Sequence, residues 1–306
     1  MDKVSIITTF YNAERFIERT LTSVLNQLMD IKRFTIEYII VDDKSPDNSR
    51  QVVEDFMQKY NISENIGWRL ITPDENLGCG GARKFGIDNA TGNYFMFIDA
   101  DDYFIHNDFV LRAYNTITSE DADIVEYGII YNQANGQQTN NTSPKKIVIN
   151  NNKHLAEIAL FKDNLIKFNV WSKIYKRWVI ESHPYSTERT FEDVRTIPIW
   201  VNNANKIIIM DTAEINYRAA SDSIIRTDWN KTRLGTISAI ASHFELFKDD
   251  YDILKAMYTR AMIDLEAMLN NKSSENPGFN EMSKLNTYML KYLYPDSWQD
   301  KVFEIQ

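Results

Sequence analysis

Tyr94-Phe95-Met96-Phe97-Ile98-Asp99-Ala100-Asp101-Asp102 decides how this chain folds. Its first five residues are all apolar, so a strand formed by them has no face to turn to water. Such strands belong in a parallel sheet covered by helices on both sides. Asp99, Asp101 and Asp102 then stand where that strand ends.

The residues upstream repeat one unit. Val4-Ser5-Ile6-Ile7 is a first β-rich run. Asn12 is placed to cap a helix in which Ile17, Leu21, Val24 and Leu28 recur at helical spacing. Ile36 to Val41 is a second strand. The turn Ser45-Pro46-Asp47-Asn48 leads into a helix with Val52, Val53, Phe56 and Met57 on one face. Trp68 to Ile71 is a third strand, and Gly80 to Ala90 a third helix. This order predicts an α/β fold with a doubly wound, mostly parallel sheet. Ligands of such sheets bind beyond the carboxyl ends of the strands. Thr8-Thr9-Phe10-Tyr11-Asn12, Val41-Asp42-Asp43 and the Asp99 cluster are therefore the expected site.

Farther along, Asp123 to Tyr131 and Lys145 to Asn150 read as strands joined by an Asn- and Gln-rich loop, 132–143. Residues 154–180 read as mainly helical, and Lys206 to Met210 as a late strand. From Trp229 the pattern is helical. One stripe holds Leu254, Met257, Ala261, Leu265 and Met268; another holds Met282, Leu285, Met289 and Tyr292. A boundary is expected near residues 219–230.

Bulk properties narrow the function. The 306 residues carry a net charge of -9, which argues against nucleic-acid binding through an extended basic face. Cys79 is the single cysteine, so an intramolecular disulfide and a cysteine-based zinc site are excluded. The start, Met1 to Ile7, lacks the basic and apolar regions of a signal peptide. No apolar stretch approaches the roughly 20 residues that span a bilayer. A cytoplasmic enzyme is expected.

Asp-x-Asp occurs three times, at Asp99/Asp101, Asp121/Asp123 and Asp250/Asp252, and only the first pair ends a buried strand. Two carboxylates about 4 Å apart repel by roughly 4 kcal/mol at an effective dielectric of 20. A hard cation such as Mg²⁺ or Mn²⁺ removes that cost and completes its shell with phosphate oxygens. The segment Asn76-Leu77-Gly78-Cys79-Gly80-Gly81-Ala82-Arg83 suggests a diphosphate cradle. It fails the dinucleotide pattern, because Arg83 fills the third glycine position. His106, His154, His183 and His243 show no pairing at metal-ligand spacing.

Several runs, in order, resemble glycosyltransferase family 2, whose fold is GT-A. They are Val4 to Glu14 with Ser23 to Gln27; Ile39 to Ser49; Asn76-x-Gly78 with Ala82-Arg83-x-x-Gly86; Ala90-x-Gly92-x-Tyr94; and Phe97 to Asp102. Trp171 to Tyr175, Phe191-Glu192-Asp193 and Tyr217-Arg218 with Ser223-Ile224 continue the likeness. It covers roughly residues 3–225. It departs from the common pattern at Thr9, where proline is frequent, and at Cys79-Gly80-Gly81.

The resemblance implies a GT-A catalytic domain over 1–222, with a nucleotide-sugar half at about 1–102 and an acceptor half at about 103–222. The helical region 223–306 would be a lid or a homo-oligomer interface. Thr9, Tyr11 and Asp42, with Asp43 beside it, would face a UDP-type donor. Arg83 would approach its diphosphate or base. Asp99 would hold the ribose or sugar, and Asp101, with Asp99, would ligate Mn²⁺ or Mg²⁺. Asp193 would be the general base, with Glu192 beside it, and Lys173 and Arg218 would contact diphosphate or acceptor. The implied reaction is an inverting transfer of a hexosyl or N-acetylhexosaminyl group. Its acceptor would be a hydroxyl of a glycan, a wall polymer, a lipid-linked sugar or a modified nucleobase. A nucleotidyltransferase would carry a glycine-rich, basic first loop, which Thr8 to Asn12 is not. A non-catalytic binding module would have no use for the carboxylates.

Overall fold

The computed structural model describes residues 1–60, 66–133, 136–219, 235–236 and 238–269. The first half is built as its repeating pattern predicts. Strands β1 (Asp2–Phe10), β2 (Phe34–Asp42), β3 (Ile66–Ile71) and β4 (Tyr94–Phe97) alternate with helices α1 (Ile17–Leu25), α2 (Ser49–Lys59) and α3 (Gly78–Asp88). β1 pairs in parallel with both β2 and β4, and β2 pairs in parallel with β3. Apolar residues of β1, β2 and β4 fill the core between the helices, as the uninterrupted runs require.

The second half is mixed in direction. It comprises β5 (Tyr103–Phe104), α4 (Phe109–Ser119), β6 (Ile124–Gln133), β7 (Gln138–Asn141), β8 (Ile147–Asn150) and α5 (Lys153–Phe161). After these come β9 (Lys173–Lys176), α6 (Arg177–Glu181), α7 (Glu192–Asn203), β10 (Lys206–Ala219) and α8 (Tyr251–Leu269). The sheet runs β3-β2-β1-β4-β9-β6-β10-β5. β9 lies antiparallel between β4 and β6 and so joins the two halves. β6 and β10 are parallel, but β10 shifts register twice between Ile209 and Ile215. Such bulges bend a strand, and here β10 continues past its expected end at Met210 to carry Tyr217 and Arg218.

Local expectations fail where short-range pattern is weak. Residues 154–180 are not mainly helical, because the four residues of β9 are buried between two strands. The loop expected at 132–143 contains β7, which pairs with β6. Asn12 does not cap α1; it has φ 61°, and α1 starts at Ile17 with no side-chain cap. The positions Ser223, Ile224, Met282, Leu285, Met289 and Tyr292 lie outside the described residues, as does most of the expected 219–230 boundary. Ile253, Leu254, Met257 and Ala261 join the same apolar core as the sheet. No described helix is long and apolar enough to cross a membrane.

α3 lies on β1 and β2, and Gly86 lets the helix backbone come close. A Cβ there would stand 2.7 Å from Ile7 Cγ2 and 3.2 Å from Val41 Cγ2. Both neighbours are β-branched and buried, so neither can swing aside. Gly86→Ala is expected to lower unfolding stability by about 1–3 kcal/mol, the usual cost of overpacking, measured by urea denaturation. An unchanged midpoint would mean that α3 sits farther from the sheet.

Candidate active site

The loops after β1 and β2 are laced together. The Asn12 and Ala13 amides donate to the hydroxyls of Ser45 and Ser49, and the Glu14 amide donates to Asp47. They frame a cleft of about 530 Å³ lined by Asp42, Lys44, Ser45, Arg50, Leu70 and Thr72. Asp42 is buried at its base, accepting from the Ser45 amide at 2.9 Å and facing the Arg50 guanidinium at 3.5 Å. Thr9 is half-buried and Tyr11 is exposed at the same edge of the sheet. Asp43 does something else. Its carboxylate accepts from the amides of Leu77 and Gly78 and so anchors the start of α3, while burial raises its pKa.

The glycine-rich start of α3 is a docking surface rather than an open cradle. A Cβ on Gly80 would lie 2.3 Å from the Glu188 carbonyl and 2.5 Å from that of Ser186. Gly78 adopts φ +74°, and a Cβ there would meet Arg189, whose guanidinium binds Asn76. The stretch 186–192 thus lies directly on this turn, and the missing side chains make the contact possible. Cys79 is half-buried beside Glu192; desolvation pushes its thiol well above the ordinary range, which leaves it unsuited to act as a nucleophile.

That approach lets Arg83 connect two parts of the site. Arg83 is 5% exposed, far from the surface position that an isolated arginine usually takes. Nη2 donates to Asp99 Oδ1 at 2.6 Å, and Nη1 pairs with Glu192 Oε1. Tyr185, which no motif singles out, lies beside it with its hydroxyl at 3.4 Å. The two carboxylates hold Arg83 firmly protonated despite burial.

Beyond Asp99, the end of β10 closes the site. The Arg218 amide donates to Asp102 Oδ1 at 2.9 Å, and Arg218 Nε stands 3.5 Å from Asp101 Oδ2. The Arg218 guanidinium also lies 3.6 Å over the Phe16 ring. Tyr217 stacks on Trp171 with centroids 5.4 Å apart, giving an aromatic wall next to the carboxylates. Asp102 is fully buried, and its Oδ2 has no hydrogen-bond partner among the described residues. Burial, then the neighbouring Asp99, raises the pKa of Asp101; burial, then Asp101, raises that of Asp102 far more. Negative charge here exceeds what the two arginines neutralise. The half-exposed Asp101, the partly exposed Asp99 and an all-oxygen donor set fit a hard divalent cation.

Asp193 is the second residue of α7, which follows Phe191 in the left-handed region at φ 58°. Its carboxylate accepts from the Val194 amide at 2.7 Å. A helix N-terminus favours the charged form. Burial and the adjacent Glu192 outweigh that and push the Asp193 carboxyl up to about 7. The two neighbours therefore separate: Glu192 pairs with Arg83, while Asp193 forms no ion pair among the described residues.

Lys173 is not part of the group formed around Arg83. It is fully buried, and Nζ donates to the carbonyls of Lys167 and Asn169 and faces Glu126 at 3.4 Å. Burial pulls its ammonium below the usual range. No nitrogen hydrogen remains for a diphosphate, and the geometry instead gives Lys173 the work of holding the 167–172 segment.

A family model described as glycosyl transferase family 2 matches residues 5–180. The chain belongs to this family. Glycosyltransferase GlyA of Streptococcus pneumoniae is 26% identical over 254 residues, 80% of this chain and 34% of GlyA. Glycosyltransferase GlyG of the same organism is 24% identical over 278 residues, 87% of this chain and 88% of GlyG. The chain thus spans about a third of one relative and most of the other. Residues 1–349 of S. aureus TarS superpose with a TM-score of 0.67 at 18% identity, over 95% of this chain and 81% of that one. The same TarS segment in complex with UDP-GlcNAc gives the same TM-score. The shared fold is the GT-A arrangement expected from the motifs.

Gly80 offers a direct test of the docked loop. In Gly80→Ala the new methyl meets two backbone carbonyls, which cannot rotate away, so the stretch leading to Asp193 must shift. The fold, followed by circular dichroism, is expected to survive. Turnover is expected to fall on the order of 100-fold, as a displacement of about 1 Å at a reacting group can cost. Full activity in Gly80→Ala would separate this contact from the site.

Proposed function

We propose that the chain transfers a sugar from a nucleoside-diphosphate sugar, of the UDP type, to an acceptor hydroxyl, with inversion at the anomeric carbon. The observation that carries this reading is the Arg83 bridge. It ties Asp99, at the end of β4, to the turn that bears Asp193. The bridge would hold a donor site and a candidate base at a set distance from each other.

Asp42 and the cleft beside it would receive the base and ribose, with Thr9 and Tyr11 at its rim. Asp101 and Asp99 would hold Mn²⁺ or Mg²⁺, with buried Asp102 beneath them. Such a cation, when bound, stabilises the charge that grows on a departing diphosphate. Arg218, held by Phe16 and the carboxylates, would face the diphosphate from the β10 side. Asp193 would accept the acceptor's proton as its oxygen attacks. A carboxyl that titrates near 7 is well matched to that task at neutral pH. Glu192 would keep Arg83 neutralised and Asp193 poised rather than touch substrate. The Trp171–Tyr217 wall suits the apolar face of a sugar ring of a glycan or wall-polymer acceptor. TarS binds UDP-GlcNAc on the same fold, which supports a UDP-sugar as the first donor to try.

Only deprotonated Asp193 can take a proton. Turnover with UDP-GlcNAc, Mn²⁺ and a sugar acceptor is therefore expected to rise with pH and level off above about 7. Asp193→Asn is expected to lower kcat by about 10²–10⁴ and to abolish that acidic limb, with donor affinity retained. Asp101→Ala is expected to weaken Mn²⁺-dependent donor binding. UDP release and calorimetry measure these effects. An Asp193→Asn enzyme with unchanged rate and pH profile would remove Asp193 from the reaction.

A further inference from the structure

A second cluster of ligating side chains lies away from the strand ends, where α5 meets the start of α8. His154 and Glu157 stand three residues apart on one face of α5, whose first turn is fixed by the Asn152 side chain accepting from the Leu155 amide. Asp250 immediately precedes α8. Its Oδ1 accepts from the Ile253 amide at 3.1 Å, and its Oδ2 meets His154 Nδ1 at 2.6 Å. The three side chains bring one imidazole nitrogen and two carboxylate oxygens within 4.8 Å of one another.

A histidine–aspartate ion pair beside a helix cap explains two of these residues but not the third. Glu157 is 7% exposed, and no described residue donates a hydrogen bond to its carboxylate. Asp250 brings a second acid close to it, with His154 and Lys153 the cations nearby. A lone histidine would not hold two carboxylates together, whereas a divalent cation would.

We infer that His154, Glu157 and Asp250 form a binding site for a divalent transition-metal ion of the zinc type, which fastens the start of α8 to α5. An imidazole with two carboxylates is a donor set that suits zinc better than the all-oxygen preference of Mg²⁺ or Ca²⁺. Three protein ligands leave one position for water, in keeping with the half-exposed His154. Bonds of about 2.0–2.2 Å place ligand atoms roughly 3.3 Å apart, so the cluster closes by small side-chain rotations. The site is distinct from the Asp99–Asp101 pair in both ligand chemistry and place. α5 also packs against α7, so an ion at this site secures α8 to the body that carries Asp193.

The spacing rule passed over His154 because the third ligand is 96 residues away in sequence. The four histidines differ in surroundings. His106 pairs with Glu214 and Arg112 lies on the same acid, while buried His243 contacts the Val194 carbonyl. Among the described residues, only the His154 group gathers three ligating side chains.

The test uses the whole chain, stripped with a chelator, and titrates ZnCl₂ by calorimetry with melting followed in parallel. One equivalent of Zn²⁺ is expected to bind and raise the melting temperature. His154→Ala removes an exposed ligand and is expected to fold normally; Glu157→Gln keeps the buried shape. Both are expected to bind Zn²⁺ at least about 100-fold more weakly, beyond the 10–100-fold that loss of an outer partner costs. Asp101→Ala is expected to bind Zn²⁺ as the unaltered chain does. Equal affinity in the His154→Ala and unaltered chains would overturn the assignment. So would loss of Zn²⁺ in Asp101→Ala alone, or no binding at all.

Discussion

The site depends on one buried guanidinium. Arg83 leaves water almost completely, and an arginine so placed must meet carboxylates. It meets one from each side: Asp99 at the end of β4, and Glu192 in the first turn of α7. Removing one partner from such an arrangement costs about 3–5 kcal/mol, because a charge is then stranded in the interior. The pairing therefore fixes the distance between elements 109 residues apart in sequence. The glycines serve the same constraint. Without a bare surface at Gly78 and Gly80, the stretch 186–192 could not come near enough for Glu192 to reach Arg83.

A second constraint comes from the antiparallel β9. The first four strands form a parallel sheet whose carboxyl ends offer a nucleotide-sized edge but leave one side open. Four residues of β9 attach β6 and, through it, β10. The bulged β10 then turns its last residues toward the acids of β4. Arg218 offers its backbone amide to Asp102 and its side chain to Asp101. One residue thus bridges sequence halves in much the way Arg83 does. The acids at this edge are held by donors from both halves, yet one Asp102 oxygen has no partner among the described residues.

What the sequence made legible follows from how local each signal is. The βα units of the first half are consecutive in the chain and consecutive in space, so periodicity alone recovered β1 to β4 and α2 and α3. Asp42 ends β2 and Asp99 lies just past β4, the strand ends at which the rule looks for a ligand. β9 escaped because four residues, two of them lysines, carry too little period to stand out from the helices around them. The continuation of β10 escaped because bulges break its alternation. Arg83 was recognised as important, but its partners could not be: neither Asp99 nor Glu192 advertises a buried pair by its local sequence. Lys173 shows the reverse. Its motif pointed to the donor, whereas the side chain is occupied by carbonyl oxygens that only folding brings to it.

Glu192 and Asp193 show how neighbouring acids acquire opposite characters. Both sit at a helix N-terminus, where free amides favour negative charge by a few tenths to 1 kcal/mol. Glu192 turns inward and meets a guanidinium, so its charge is compensated directly. Asp193 accepts one amide and feels desolvation and the charge of its neighbour. The balance tips because burial and repulsion together exceed one helix-end amide. The left-handed Phe191 sets this division, since it rotates the chain just before the two acids. Its ring lies against Gly235, where a Cβ would stand 2.7 Å away, so the rotation is held by packing and not by the turn alone. A carboxyl left poised near neutrality is a cost to the fold at the pH where it must ionise. Such a cost is retained in proteins where the strained group is the one that works.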